Sequence, residues 1–415
     1  MKEILATLLE EAFAIVERAR KGMKRQLEFP KAKNMIKVAI GMRRSGKTYF
    51  LYQTINELLD SGISKEQILF VNFEDDRLLP MDAKGMGELI DAFYSLYPEN
   101  HNRQCYLFLD EVQNVENWHL VVRRYFDSKN VQLYLAGSSA KLLSKEINTS
   151  LRGRSLALEV YPYSFQEYLA VHKIEIPEGP FGQASFDKMQ KPLLNYFSIG
   201  GFPAVQTMQK NEWRNTLQGY IDTVILKDII ERHSITNIAL LKYLTITLLK
   251  NTASDFSVNK FFNDIKNQGY QVSKDTIHNY LEYIQDAFLI FCVSHYSESE
   301  RLKQTKPRKI YAIDSGLVNA AAISFSNNYG RVLENLVYLD LRRHNKKIYF
   351  YNTSDGCEVD FVTVNQEGDR ELIQVCWDMS DTKTFEREKH ALELAEKELG
   401  IKGKIITARG YLGEV

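Results

Sequence analysis

Ile4, Leu5, Leu8, Leu9, Phe13 and Val16 recur at helical spacing, which predicts a helix running to about Lys24 with one apolar face. Its far end is basic (Arg18, Arg20, Lys21, Lys24, Arg25) and reads as a solvated helix terminus favoured by the dipole. From Asn34 to about Pro162 the pattern changes. Short apolar runs at Ile36 to Ile40, Ile68 to Phe73, Tyr106 to Leu109, Val131 to Ala136 and Leu156 to Val160 alternate with helical stretches. That alternation predicts an α/β fold with a parallel sheet covered on both faces, and such sheets take ligands at the carboxyl ends of their strands.

After Tyr161 the chain turns helical, interrupted near Pro177-Glu178-Gly179-Pro180 and at Gly200-Gly201-Phe202-Pro203, with further helices over Trp213 to Arg232 and Ile238 to Asn251. Ser257-Val258-Asn259-Lys260 opens a helix, Gly269-Tyr270 stops it, and Ser273-Lys274-Asp275-Thr276 opens a second that buries Tyr280, Leu281, Ile284 and Phe288. An apolar strand to Val293 follows. Helix, turn, helix and strand in this order predict a winged helix-turn-helix. Arg301 to Lys309 is the densest basic run, suited as a wing to lie against phosphates of double-stranded DNA. Glu282 and Asp286 on the second helix favour protein contact instead. The last hundred or so residues predict a separate α/β domain, with strands at Lys347 to Tyr351, Glu358 to Val362 and Glu371 to Trp377 before a charged helix from Phe385 to Leu399.

Composition narrows the class. The 415 residues are 44% hydrophobic and carry 53 basic and 53 acidic side chains, enough for several cores and without a global surface for polyanions. Cys105, Cys292, Cys357 and Cys376 show no C-x-x-C spacing, so neither a zinc site nor a disulfide framework is indicated. No stretch reaches the length of a membrane span and the N-terminus is unlike a secretory signal, so a cytoplasmic protein is expected.

The chemistry is concentrated at strand ends. Gly41-Met42-Arg43-Arg44-Ser45-Gly46-Lys47-Thr48 fits G-x-x-x-x-G-K-[ST] between a strand and the helix opening at Tyr49. In that setting backbone N–H groups cradle phosphate, Lys47 reaches the β- and γ-phosphates, and Thr48 offers its hydroxyl to Mg²⁺. Asp110 at the end of the Tyr106 strand would hold Mg²⁺, and Glu111 would polarise the attacking water. Ser138, ahead of Ser139, is the candidate for sensing the γ-phosphate or holding water, although serine at a strand end is also ordinary turn chemistry. For a guanidinium acting on the transferred phosphoryl group, Arg154 is the first candidate and Arg152 the second. Arg123 and Arg124 follow on the helix after Glu111.

These motifs together resemble the bacterial and archaeal predicted ATPases of the AAA superfamily that carry a C-terminal nuclease-like domain. Also carrying the likeness are Asn72-Phe73-Glu74-Asp75-Asp76-Arg77-Leu78, Leu109-Asp110-Glu111-Val112-Gln113, Leu151-Arg152-Gly153-Arg154 and Glu358-Val359-Asp360-Phe361. The resemblance implies an N-terminal helix (1–30), an AAA-type phosphate-loop core (31–165), a helical lid (166–235), a winged helix (236–303) and a nuclease-like domain (304–415). It also implies ATP, in preference to GTP, as the nucleotide, and assembly into a homo-oligomer in which arginine is supplied in trans. The nuclease pattern is broken. Glu334 and Asp360 match two acids of the PD-(D/E)xK type, but Gln374-Val375-Cys376 stands where E-x-K is required, leaving no lysine and an amide for a carboxylate. The expected function is an ATP-hydrolysing switch or motor. The competing reading is an ATP-gated nucleic-acid-binding regulator or defence-type effector; an active nuclease is disfavoured.

Overall fold

The computed structural model describes residues 1–138, 151, 153–322, 328–344, 346–378 and 382–414, in two compact units, Met1–Tyr161 and Pro162–Val415. Ser139 and Arg152 lie outside the described residues.

In the first unit, strands β1 (Ile36–Ile40), β2 (Ile68–Asn72), β3 (Cys105–Asp110), β4 (Val131–Gly137) and β5 (Ser155–Glu159) form a parallel sheet in the order β2-β3-β4-β1-β5. Helices α1 (Lys2–Ala19), α2 (Lys47–Asp60), α3 (Ala83–Leu96) and α4 (Trp118–Ser128) cover it. With both faces covered, β1 is buried at every position, and this is why the strand reads as an unbroken apolar run apart from Lys37. Phe50, Ile55, Phe70, Phe108 and Tyr134 meet in one cluster, with the rings of Phe108 and Tyr134 stacked 4.4 Å apart.

Helix α1 is not a separate piece. Leu5, Leu8, Leu9, Ala12 and Val16 are buried within this unit, while Ile4 is exposed. The helix ends at Ala19, several residues before the expected Lys24. Just past that end the chain runs against Tyr49, leaving room only for glycine at residue 22: a Cβ at Gly22 would sit 1.5 Å from the Tyr49 hydroxyl.

In the second unit, helices α5 (Phe165–Val171), α6 (Gln183–Ile199), α7 (Lys210–Thr223) and α8 (Ile238–Lys250) come first, α7 running on through a π-helical stretch, Val224–Ile230. The Gly200-Gly201 interruption is a close approach, since a Cβ at Gly201 would stand 2.2 Å from the Tyr163 carbonyl oxygen. Next come β6 (Ser254–Phe256), α9 (Val258–Asn267), α10 (Lys274–Asp286), β7 (Ile290–Val293), a short α11 (Glu300–Thr305) and β8 (Arg308–Ala312). Ser257 and Ser273 accept from Lys260 N and Thr276 N as N-caps, as their positions predict.

Strand β8 lies beyond the expected boundary at residue 304. Strand β8 pairs antiparallel with both β6 and β7 and is the middle strand of their sheet, so it belongs with the preceding helices. After α12 (Ser315–Ala321) and α13 (Tyr329–Arg343), strands β9 (Lys347–Asn352), β10 (Glu358–Val364), β11 (Arg370–Cys376) and β12 (Gly403–Thr407) make a mixed sheet, ordered β12-β11-β10-β9. Helix α14 (Thr382–Leu399) packs Ala391, Leu392 and Ala395 onto Val359, Val362 and Leu372. Among the described residues no helix is long and apolar enough to cross a membrane.

Candidate active site

Residues 41–46 link the end of β1 to α2, and their backbone is unusual at Gly41 (φ 153°), Arg44 (φ 66°) and Gly46 (φ 102°). A Cβ at Gly41 would stand 2.2 Å from the Val160 carbonyl oxygen, so only glycine lets the loop pass β5. Arg44 holds a left-handed conformation that costs a non-glycine residue roughly 1 kcal/mol or more. The loop then feeds a helix whose first N–H groups, at Lys47, Thr48 and Tyr49, precede the intrahelical ladder; the Phe50 N–H donates to Gly46 O at 3.0 Å. Three donors at a positive dipole end form an anion site.

Lys47 is buried, and its ammonium donates to the Gly41 and Met42 carbonyls at 3.1 and 3.0 Å, 3.9 Å from Glu111 Oε1. Thr48 Oγ1 donates to Asp110 Oδ2 at 2.6 Å. Asp110 is wholly buried, and burial, with the charge of Glu111 beside it, pushes its carboxyl up to about 7. A buried carboxylate bonded to a threonine hydroxyl is a fit for a hard divalent cation. Mg²⁺ takes one or two protein oxygens and completes its shell with water and phosphate, so Thr48 and Asp110 suffice.

The strand order decides Ser138. Strand β4 lies between β1 and β3, in register Ile40 with Gly137, so residue 138 emerges between the phosphate loop and the acids. Ser138 is buried there, and Gln113 Nε2 lies 3.4 Å from its hydroxyl and donates to Glu111 Oε2.

Other candidates are placed elsewhere. The Tyr49 hydroxyl donates to Ala19 O at 2.6 Å, so its side chain is turned to the end of α1 and only its backbone N–H stands at the start of α2. Arg43 bonds Glu74 at 2.7 Å, joining the loop after β1 to the end of β2 across the two strands between them. Arg77 is held by Asp75 and by Glu11 of α1, which gives that segment a structural role. Arg154 precedes β5 at the opposite edge of the sheet: the register Ile36–Ser155 to Ile40–Glu159 separates it from the loop by roughly 16 Å at about 3.3 Å per residue. It pairs there with Asp127 and does not reach the phosphate site of its own chain. Arg124 lies against the Tyr125 ring and hydroxyl.

Arg25 was legible only as part of a basic helix end, yet it is buried. Its guanidinium donates to Ser45 O at 3.0 Å and Tyr161 O at 2.7 Å, and its backbone N–H donates to Gln53 Oε1. It braces the phosphate loop from beneath. Charge-assisted bonds to two buried carbonyls are worth about 1.5–3 kcal/mol each. Arg25→Met is therefore expected to weaken nucleotide affinity by about tenfold or more, read by titration with a fluorescent nucleotide.

The second unit holds a separate cluster. Lys309, expected in a basic wing facing phosphates, is buried on β8 with its ammonium 2.7 Å from Glu334 Oε1, 2.6 Å from Glu358 Oε1 and 2.9 Å from Asp360 Oδ1. The two acids anticipated from the nuclease pattern are thus brought together, and a lysine absent from the E-x-K position arrives from 51 residues upstream of Asp360. Burial, then the charge of Asp360, raises Glu334 to about 8, and Tyr311 donates to it at 2.7 Å. Gln374 is spent on structure, its Oε1 accepting from Asp360 N at 3.1 Å and its amide donating to Glu388. The cluster lines a cavity of about 740 Å³. Among the described residues no group of three acid, histidine or cysteine side chains is disposed to hold a metal.

Models of known families match in succession: an AAA domain over residues 33–169, a domain of unknown function (DUF8612) over 190–328 and a second (DUF4143) over 329–411. The boundary at 328 keeps β8 with its partner strands. The uncharacterized protein MJ1544 of Methanocaldococcus jannaschii is 38% identical over 399 residues, 94% of this chain and 86% of the relative. An uncharacterized protein of Haemophilus influenzae is 30% identical over 345 residues, 83% of each chain. Among solved structures, the Walker-type ATPase PABY2304 of Pyrococcus abyssi aligns with a TM-score of 0.44 at 11% identity over 75% of this chain and 95% of that one. The Orc1 protein of Aeropyrum pernix, in complex with DNA, aligns at 0.30 and 11%, over 75% and 91%.

Proposed function

The chain belongs to the same family as the uncharacterized protein MJ1544 and carries an AAA-type ATPase domain, and from that premise we propose that it is a Mg²⁺-dependent ATP hydrolase acting as a molecular switch or motor. The observation that carries the reading is the convergence of Lys47, Thr48, Asp110 and Glu111 at the ends of β1 and β3.

The N–H groups at the start of α2 and the Lys47 ammonium bind and orient the β- and γ-phosphates. Thr48 and Asp110 would hold Mg²⁺, which when bound neutralises charge on the phosphate oxygens. Glu111 accepts a proton from water as the water oxygen bonds to the γ-phosphorus. The bond from that phosphorus to the bridging oxygen breaks, and ADP and phosphate leave. Because Arg154 stands at the far edge of its own sheet, an arginine contribution from it requires a second copy, which makes a homo-oligomer the working form in this reading.

The alternative, a nucleic-acid-binding regulator, loses part of its basis. Of the run from Arg301 to Lys309, Lys309 is occupied by carboxylates and the Lys306 ammonium lies 3.1 Å from His295 Nε2. DNA cleavage by the second unit is not expected, since Gln374 contributes no carboxylate and the ammonium already takes up the acids.

One assay tests both readings. Wild type should release phosphate from ATP with Mg²⁺, and Lys47→Ala should lose nucleotide binding altogether. Adding duplex DNA should leave both the turnover and the DNA unchanged. Turnover undiminished in Lys47→Ala would sink the assignment; stimulation by DNA would favour the alternative.

A further inference from the structure

Gln113 follows Glu111 in a tight turn, Val112–Asn114, and its side chain returns into the site. Its Nε2 donates to Glu111 Oε2 and approaches Ser138 Oγ at 3.4 Å. A carboxylate only accepts, so the amide nitrogen must be the atom turned toward Glu111 and the amide oxygen is turned elsewhere. That oxygen, Oε1, is buried and has no hydrogen-bond partner among the described residues. An unmatched buried amide oxygen costs about 1–3 kcal/mol, more than a methionine of the same length would cost in its place. Such a cost is explained when the site takes up a donor during its work.

Hydrolysis supplies that donor. The attacking water has two O–H bonds and must direct a lone pair at phosphorus. Glu111 accepts one hydrogen, which leaves the second to be fixed or to rotate freely. We propose that Gln113 orients the attacking water: Nε2 anchors Glu111, and Oε1 accepts the hydrogen that Glu111 does not take. The first hydrogen passes to Glu111 as the new P–O bond forms, and the second remains on the departing phosphate. Gln113 neither gains nor loses a proton. The inference rests on the ATPase reading, and it assigns to this chain a second water-contacting residue besides Glu111.

The test is Gln113→Met, which keeps the length of the side chain and removes both polar ends. Steady-state kcat and KM with Mg²⁺ and ATP, affinity for a fluorescent ATP analogue and the melting temperature are measured beside wild type and Glu111→Gln. The expected result is a fall in kcat of about 30-fold or more, somewhat below the roughly 10²–10³-fold lost on removing an oxyanion-hole donor. Affinity should stay within about threefold, and the melting temperature should be unchanged or higher, because an unmatched buried oxygen has been removed. A kcat within about threefold of wild type would overturn the proposal. So would a loss of kcat that runs in step with lost affinity and a lower melting temperature, since that marks a residue needed only for the fold. Failure of the ATPase reading is separate: it would appear as no turnover in wild type, whereas normal turnover that stops in Glu111→Gln and persists in Gln113→Met sinks the Gln113 inference alone.

Discussion

Lys309→Met is expected to destabilise the second unit by about 3 kcal/mol or more. The methionine keeps the stem of the side chain and fills all of its space but that of the terminal ammonium, so the effect is chiefly that of the charge. Lys309 is 2% exposed and serves Glu334, Glu358 and Asp360 at once. Removing one partner of a buried ion pair typically costs about 3–5 kcal/mol, because the remaining charge is left without water or counter-ion. Here three carboxylates are left, but the full sum is not expected. Glu334, raised to about 8 by burial, is already mostly protonated at neutral pH, so it leaves little uncompensated charge when the ammonium goes and keeps its hydrogen bond from Tyr311. Calorimetric unfolding provides the check, with a shift of roughly 6–12 °C expected for a unit of this size. Adding Glu334→Gln and Glu358→Gln to Lys309→Met should restore part of the loss, since fewer charges then need neutralising. An unchanged unfolding temperature in Lys309→Met would mean that the cluster is not held by the ammonium.

Glu111→Gln is expected to bind ATP as tightly as wild type and to lower kcat by about 100-fold or more. Loss of a positioned general base removes about 10²–10⁴ in rate. The amide keeps the size of the side chain and removes only its capacity to accept a proton. Nucleotide affinity should survive because binding rests on Lys47, the loop N–H groups and Thr48, which Glu111 does not hold in place; its nearest approach to Lys47 is 3.9 Å. Removing the acid also relieves Asp110, whose raised affinity for protons owes its second part to the Glu111 charge. Single-turnover phosphate release combined with nucleotide titration separates the two effects. Equal turnover in wild type and Glu111→Gln would remove Glu111 from the chemistry.

The parts of this protein that its sequence determined are the local ones. Five strands of the first unit, the phosphate loop and Asp110-Glu111 are legible because each is a contiguous pattern whose chemistry depends on its immediate neighbours. Glycines at 41 and 46 carry their own conformational argument, and Ser257 and Ser273 announce their helices. What pairs residues far apart in the chain was decided only in three dimensions. Strand β4 enters between β1 and β3, and that insertion, not anything in residues 131–138, puts Ser138 beside Gln113, whose amide also bonds Glu111. The pairing of β8 with β6 and β7 ties residues 308–312 to the helices before them and makes Lys309, read as part of a basic wing, a buried counter-ion. Arg25 and Lys309 share the reason that sequence misplaces them. A basic residue in a basic run reads as solvated, because burying its charge is prohibitive without acceptors, and the acceptors here, Ser45 O and Tyr161 O for one and three carboxylates for the other, come from elements 20 or more residues away.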